Sequence, residues 1–95
     1  MGNRRPRPKR LGEKLRRIRE TFGISQPHMP ARLGIQDMHP GRISEYERDE
    51  REPTWMTLLA YADLAGVHLE EIVDDRLDLP KKLPGKVHHG IIPRK

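Results

Sequence analysis

Apolar side chains recur at helical spacing near the start of the chain, and this periodicity constrains the fold more than any other feature. Leu11, Leu15, Ile18 and Phe22 follow one another at intervals of four, three and four residues, which places them on one face of a helix. Gly23 follows at once and predicts the end of that helix. No segment shows the alternation of apolar and polar residues that is typical of a strand. We therefore expect a chain of short amphipathic helices.

The second predicted helix begins after Ser25, a good N-cap residue, and ends at Gly34. Met29 and Leu33 point inward from it. Pro30 lies near the limit of what the first turn of a helix tolerates, because proline lacks an N–H and its ring crowds the preceding turn. We therefore expect this helix to be short or bent.

The third predicted helix has Pro40 at its first position and continues through Arg48. Its inner side is formed by Ile43, Tyr46 and Glu47.

A fourth helix follows the capping residue Thr54 and ends at Gly66, and a short fifth helix covers 69–73. The apolar positions that repeat along the fourth helix are Trp55, Leu58, Leu59, Ala62 and Ala65, and we expect Trp55 and Tyr46 to be packing residues. The sequence thus predicts an all-α protein, a compact bundle of five helices.

Length and composition exclude several classes of protein. A chain of 95 residues makes one domain, and the absence of cysteine excludes a disulfide scaffold or a zinc finger. Because the chain has neither a long apolar run nor the apolar stretch of a secretory signal, we expect a cytoplasmic protein without membrane contact. Neither Ser25 nor Ser44 has a positioned base, and the pair His88–His89 lacks the spacing of metal ligands. We therefore expect no enzyme, no metal and no cofactor.

Charge divides the chain into three parts. Residues 1–10 and 81–95 hold ten basic side chains and no acidic one, whereas residues 45–80 hold eleven acidic and three basic side chains. We expect a basic disordered arm over 1–10, a folded domain over 11–75 and a basic, mostly disordered tail over 76–95. Basic ends on a body with one positive half suit a polyanionic partner. The alternative from charge alone is that the basic tails only keep the protein soluble.

Several short motifs, taken in order and spacing, resemble the lambda-repressor/Cro-type (XRE) helix-turn-helix family. They cover about two-thirds of the chain and are LGEKLRRIRE from Leu11, GISQ from Gly23, RLGI from Arg32, ISEYE from Ile43, Pro53-Thr54, Leu58-Leu59 and AGV from Ala65. The resemblance implies that helices 2 and 3 form the DNA-reading unit, with helix 3 in the major groove.

The same resemblance implies roles for three polar residues. Gln26 matches a glutamine that bonds a phosphate and buttresses the recognition helix. Arg19 and Glu47 match a pair that joins helices 1 and 3, which makes them structural. The chain departs from the family pattern at Pro30, where a small helix former is usual, and in the longer turn before Ile43.

Helical geometry selects the candidate base-reading residues. With Ile43, Tyr46 and Glu47 inward and 100° per residue, the outward arc of helix 3 holds Gly41, Arg42, Ser44, Glu45 and Arg48. Arg42 can bind guanine O6 and N7, Ser44 can bond a base edge or a phosphate, and Gly41 allows close approach. Glu45 either accepts from cytosine N4 or only orients Arg42.

Two further sets of residues are candidates for DNA contact. His39 either touches a phosphate or base or serves as a cap or loop residue. The arginines of the arm can enter the minor groove beside the recognition helix; they are Arg4, Arg5 and Arg7. Arg16 and Arg17 are expected on the solvent side of helix 1.

The sequence therefore favours a sequence-specific transcription regulator, most simply a repressor, that binds double-stranded DNA as a homodimer on a pseudo-palindrome. The alternative is an antitoxin or interaction subunit whose segment 76–84 binds a protein partner. This alternative rests on Leu77 and Leu79, which do not belong to any helical stripe of apolar residues in the sequence. RNA binding is less favoured because the basic side offers no aromatic platform.

Overall fold

The computed structural model describes residues 8–85, and these residues form five α-helices and no strand. A 3₁₀ turn over Gln26–His28 precedes the second helix. The helices are α1 (Leu11–Thr21), α2 (Met29–Leu33), α3 (Arg42–Glu47), α4 (Trp55–Ala65) and α5 (Leu69–Val73). The predicted all-α five-helix bundle is confirmed. Arg4, Arg5 and Arg7 lie outside the described residues, as do the histidines at 88 and 89.

A single core joins the five helices. Its largest fully buried side chains are those of Leu15, Ile18, Met29, Tyr61 and Ile72. Helices of 5 to 11 residues are marginal on their own in water. Packing in this core therefore stabilises each of them. None of the helices within 8–85 is long and apolar enough to cross a membrane.

The two prolines divide the predicted second helix. Pro27 lies in the 3₁₀ turn and Pro30 in the first turn of α2, so each starts a helical segment in which its missing N–H is not needed. Ser25 has the extended backbone of an N-cap, but its hydroxyl lies 2.8 Å from Nδ1 of His28 and caps no backbone N–H. α2 has only 5 residues, so it is short as expected, and it ends at Gly34 as predicted.

The start of α3 differs from the prediction. The helix begins at Arg42, not at Pro40, and Gly41 is its N-cap with φ +90°. Only glycine adopts this left-handed conformation without strain. Pro40 therefore belongs to the long turn that joins α2 to α3 (residues 34–41), and His39 does not cap the helix.

The buried face of α4 also differs from the prediction. Trp55 is 64% exposed and Leu59 is 38% exposed, so the expectation that they pack in the core was wrong. Tyr61 and Leu64 are buried in their place, together with the predicted Leu58. Because α4 is apolar around most of its circumference, its periodicity could not fix which side faces inward.

The first part of the predicted tail is folded. Leu79 is buried in the core, Leu83 packs against it, and the Gly85 N–H donates to the Ala65 carbonyl at 2.9 Å. The expectation of a disordered segment was therefore wrong for residues 76–85. Leu77 remains 40% exposed.

A stripe of basic side chains on α1 holds this C-terminal segment. Lys14 is buried, and its ammonium donates to the carbonyls of Glu71, Asp74 and Leu77 at 2.9, 3.0 and 2.7 Å. Arg17 donates to the carbonyls of Pro80 and Lys81 at 2.6 and 2.8 Å, so it is not the free solvent-facing cation that we expected. The ammonium of Lys14 thus occupies the carbonyl end of α5, where a positive charge is favourable.

The segment before α1 is held by a carboxylate. The backbone N–H groups of Lys9 and Arg10 donate to Asp75 at 2.8 and 3.0 Å, and these bonds lower the pKa of that carboxyl. The Arg10 guanidinium reaches Asp78 at 2.6 Å. Lys9 and Arg10 therefore belong to the folded domain, contrary to the expectation of a disordered arm over all of 1–10.

We predict that Lys14→Met lowers the free energy of unfolding by about 3 kcal/mol, because three carbonyls are deprived of a buried donor. Urea denaturation measures the change. Arg16→Met is the matched control, since Arg16 is exposed and pairs with Glu20 on its own helix, and it should change stability by less than about 0.5 kcal/mol. Equal decreases in the two variants would contradict a structural role for the Lys14 ammonium.

Candidate nucleic-acid interface

The Glu47 carboxylate joins α3 to α1 and to the 3₁₀ turn. Arg19 of α1 donates to it through Nε at 2.6 Å and through a terminal nitrogen at 3.0 Å. Gln26 of the 3₁₀ turn donates through Nε2 to the same carboxylate at 3.0 Å. The Glu47 side chain is 4% exposed, and the hydrogen bond to Glu47 raises the pKa of Arg19. The pair of Arg19 and Glu47 that the family resemblance implied is present.

This cluster fixes the orientation of α3 relative to the rest of the bundle. A two-pronged guanidinium–carboxylate contact restrains rotation as well as distance. Near it, the backbone of α1 approaches α3 so closely that a β-carbon on Gly12 would lie 2.5 Å from the Glu47 carbonyl oxygen. The Gly12 N–H donates to Asp49 at 3.0 Å. Both contacts hold the C-terminal end of α3 against the start of α1.

The N-terminal end of α3 carries the predicted reading residues. Gly41 is exposed, and Arg42 and Ser44 are half-buried beside the buried Ile43. The Arg42 side chain is 26% exposed, and its Nε lies 3.2 Å from Oε1 of Glu45, although the N–H is not aligned for a hydrogen bond. The structure therefore brings Gly41, Arg42, Ser44 and Glu45 together at one end of α3.

Glu45 lies between two arginines. Arg51, in the loop after α3, donates through Nε to Oε1 of Glu45 at 3.0 Å, and Arg42 approaches the same oxygen. Two cations reduce the repulsion that a carboxylate would exert on phosphates. Arg51 was not found by sequence reasoning, because its contact with Glu45 crosses a loop and leaves no periodic signal.

Three other candidate residues lie at the C-cap of α3, in the turn before α3 and in the 3₁₀ turn. Arg48 is exposed at the C-cap of α3 and pairs with Glu50 at 3.1 Å. His39 is exposed in the long turn, with Nδ1 2.7 Å from the Pro40 carbonyl oxygen. Gln26 is half-buried, with its amide on Glu47. The expected support of α3 by Gln26 is present, because the Gln26 amide bonds Glu47. The phosphate contact of Gln26 stays a prediction.

The long turn and α3 enclose a cleft of about 790 Å³. Its apolar lining includes Pro30, Ile35, Met38 and Ile43, and its polar lining includes Ser44. The turn covers 34–41, which is the longer connection that the sequence indicated. The cleft adjoins the residues at the start of α3. Within 8–85 there is no group of three or more acidic or histidine side chains that could hold a metal ion.

The comparison with protein families agrees with this geometry. A family model described as a helix-turn-helix domain matches residues 10–74, which is more than half of the chain. The chain belongs to this helix-turn-helix family. No curated protein and no solved structure matches it.

The 3₁₀ turn, α2 and α3 all lie within the matched range. The matched range ends near the close of α5, so the segment 76–85 lies beyond the family model, although Leu79 shares the same core. The family indicates a DNA-binding regulator.

We predict that Glu47→Ala lowers the free energy of unfolding by about 3–5 kcal/mol, because the buried Arg19 guanidinium is left without its counterion. Chemical denaturation followed by circular dichroism measures the decrease. The control is Glu50→Ala, which removes an exposed carboxylate that pairs with Arg48, and it should cost less than about 1 kcal/mol. A small effect of Glu47→Ala would show that packing alone holds α3.

Proposed function

We propose that this protein is a sequence-specific transcription regulator, most simply a repressor, that reads double-stranded DNA with α3 in the major groove. The observation that carries the proposal is the arrangement of α3 itself. Its inner side is anchored by Ile43, Tyr46 and the Glu47 cluster, and its outer side presents Arg42 and Ser44. A rigidly held helix with polar side chains at its N-terminal end is the geometry of major-groove readout.

Arg42 is the proposed specificity residue. A guanidinium can donate two hydrogen bonds to guanine O6 and N7, and such a pair discriminates by about 1–3 kcal/mol against other bases. Glu45 orients Arg42 in this proposal, because it already holds Arg51 and lies 3.2 Å from Arg42 Nε. Arg48 and the amide of Gln26 supply phosphate contacts.

The cleft supports a second element of recognition. Met38 and Ile35 line it next to Ser44, so apolar surface borders the proposed reading residues. The C5-methyl group of thymine is the apolar group that the major groove offers. We therefore propose that the preferred site contains thymine next to the guanine that Arg42 contacts.

A regulator of this kind is no enzyme and acts where the DNA of a bacterial cell lies, in the cytoplasm. One such domain reads only a few base pairs, so we propose that two copies bind a pseudo-palindrome. The alternative of a protein partner at 76–84 is left without its main support, because Leu79 packs in the protein's own core. DNA is therefore the partner that the fold favours.

The first test selects preferred sites from a pool of random duplexes. We expect the selected sequence to contain guanine flanked by thymine, and we expect Arg42→Ala to lower the ratio of specific to random binding about 5- to 150-fold, which corresponds to the removal of one bidentate pair of hydrogen bonds. Circular dichroism should show an unchanged fold. Arg16→Ala, which removes an equal charge from α1, should leave the ratio unchanged. Selection of the same sequence by wild type and Arg42→Ala would overturn the role of Arg42.

The second test concerns Arg4, Arg5 and Arg7. If these side chains bind phosphates, replacing all three by glutamine should reduce the salt slope of log K by about 0.9 for each phosphate that is no longer neutralised. The chain offers a matched control, because Lys86, Arg94 and Lys95 carry the same total charge at the other end. Glutamine at those three positions should change the slope less. Equal reductions in both variants would show that only net charge matters.

A further inference from the structure

The cleft between α2, the long turn and α3 has the size and the lining of a small-molecule site. Its volume is about 790 Å³, and ligand pockets in proteins commonly measure about 300–1,000 Å³ with mainly apolar walls and a few polar groups. The polar groups here include Gln26 and Ser44. We call it the turn cleft, and its apolar walls include Pro27, Pro30, Ile35, Met38, Pro40 and Ile43.

The walls of the turn cleft are largely formed before any ligand arrives. Proline rings fix the φ angle of the backbone, and they occur in the 3₁₀ turn, in the first turn of α2 and in the long turn, as Pro27, Pro30 and Pro40. A preformed site needs less ordering on binding than a flexible loop does. All of residues 34–41 line the cleft. The site therefore depends on the long turn, which exceeds the family pattern in length.

The ionisable side chains of the lining point to a cationic ligand. They are Asp37 and His39, and no lysine or arginine of the described chain lines the cleft. With histidine counted as neutral, the lining carries one negative charge in a chain whose formal net charge is +5. Asp37 is exposed, and no residue of 8–85 forms a hydrogen bond or an ion pair with its carboxylate. This carboxylate is therefore available to a protonated amine.

DNA alone does not account for the turn cleft. A carboxylate repels phosphates, so Asp37 makes the cleft a poor phosphate site. The proposed contact with a thymine methyl group beside Ser44 uses only a small part of about 790 Å³. The remaining volume suits a larger apolar body, and the thioether of Met38 favours contact with an aromatic ring.

We propose that the turn cleft binds a small aromatic molecule that carries one protonated amine, and that this ligand and DNA compete for the protein. The aromatic body contacts Ile35 and Met38, and the amine pairs with Asp37. Competition follows because Ser44 lines the cleft and is also a proposed reading residue. The competition rests on the proposed function, whereas the binding of the amine does not.

The first test uses tryptamine, an indole with an amine that is protonated at pH 7. Tryptophol and indole-3-propionate hold the same ring with a hydroxyl and with a carboxylate, so the three probes differ mainly in charge. Each is titrated into the whole ¹⁵N-labelled protein without DNA. We expect saturable amide shifts at Ile35, Met38 and Gly41, and an unchanged indole resonance of Trp55, which does not line the cleft. Tryptamine should bind about 2- to 5-fold tighter than tryptophol, as a partly exposed ion pair allows, and indole-3-propionate should bind most weakly.

Asp37→Asn tests the charge. Asp37 has a φ of +62°, and asparagine tolerates this left-handed conformation as aspartate does, so the turn is retained. The variant should bind tryptamine and tryptophol equally. Glu70→Gln is the matched control, because it removes an exposed carboxylate from α5, and it should keep the wild-type ratio.

Met38→Gln tests the apolar wall. It should weaken the binding of all three probes about fivefold, the effect of losing on the order of 40 Å² of apolar contact. Met56→Gln makes the same change at an exposed position of α4 outside the cleft and should weaken none of them.

Competition is measured with the duplex that wild type selects. With tryptamine at about ten times its dissociation constant, the apparent dissociation constant for DNA should rise about elevenfold in wild type by mass action. The same concentration should raise it only about threefold in Met38→Gln, because that variant binds the amine more weakly. Each protein is compared with its own affinity without amine. Equal losses in the two proteins would show that the amine acts on the DNA or as a salt, and would overturn the competition.

The remaining outcomes separate the ligand site from the proposed function. Unshifted turn amides at millimolar probe, or shifts confined to Trp55 and its neighbours, would overturn the site. Equal binding of all three probes to wild type would overturn the cationic ligand. If tryptamine binds at the turn but wild type binds no duplex, the proposed function fails and the ligand site stands.

Discussion

The contact between the Glu47 carboxylate and Arg19 is the interaction on which the functional geometry depends. It is a bidentate ion pair with almost no solvent exposure, and Gln26 adds a third donor. A buried carboxylate without such partners would be strongly unfavourable. The requirement for both partners therefore ties α1, the 3₁₀ turn and α3 into one orientation.

α1 also holds the C-terminal segment of the described chain. Its basic side chains bind carbonyl groups at the end of α5 and in the segment after it, and Lys14 is buried in doing so. These contacts satisfy carbonyls that a helix end leaves without partners. α1 thus contacts α3 through Arg19 and the C-terminal segment through Lys14 and Arg17, which explains why so many of its charged residues are structural.

With these positions fixed, the N-terminal end of α3 is the candidate surface for a partner. Arg42, Ser44 and the cleft beneath the long turn adjoin there. Trp55 and Met56 of α4 are also exposed, beyond the loop that follows α3.

Most of the local structure could be predicted from the sequence. Helical spacing and glycine stops predicted five helices, and the inner side of α3 was correctly assigned to Ile43 and Tyr46. The family resemblance added the pairing of Arg19 with Glu47. These features could be predicted because periodicity and capping act over a few residues.

Tertiary structure alone decided which apolar face of α4 turns inward, that α3 starts after Gly41, and that Leu79 and Lys14 are buried. Such outcomes depend on contacts between residues far apart in the chain, such as Lys14 with Leu77. A helix that is apolar on two sides satisfies the same local pattern in either rotation, so only the shape of the remaining core selects one. The candidate reading residues were named from the sequence, but Arg51 beside Glu45 and the exposure of Trp55 became visible only once the loop after α3 had a position in space.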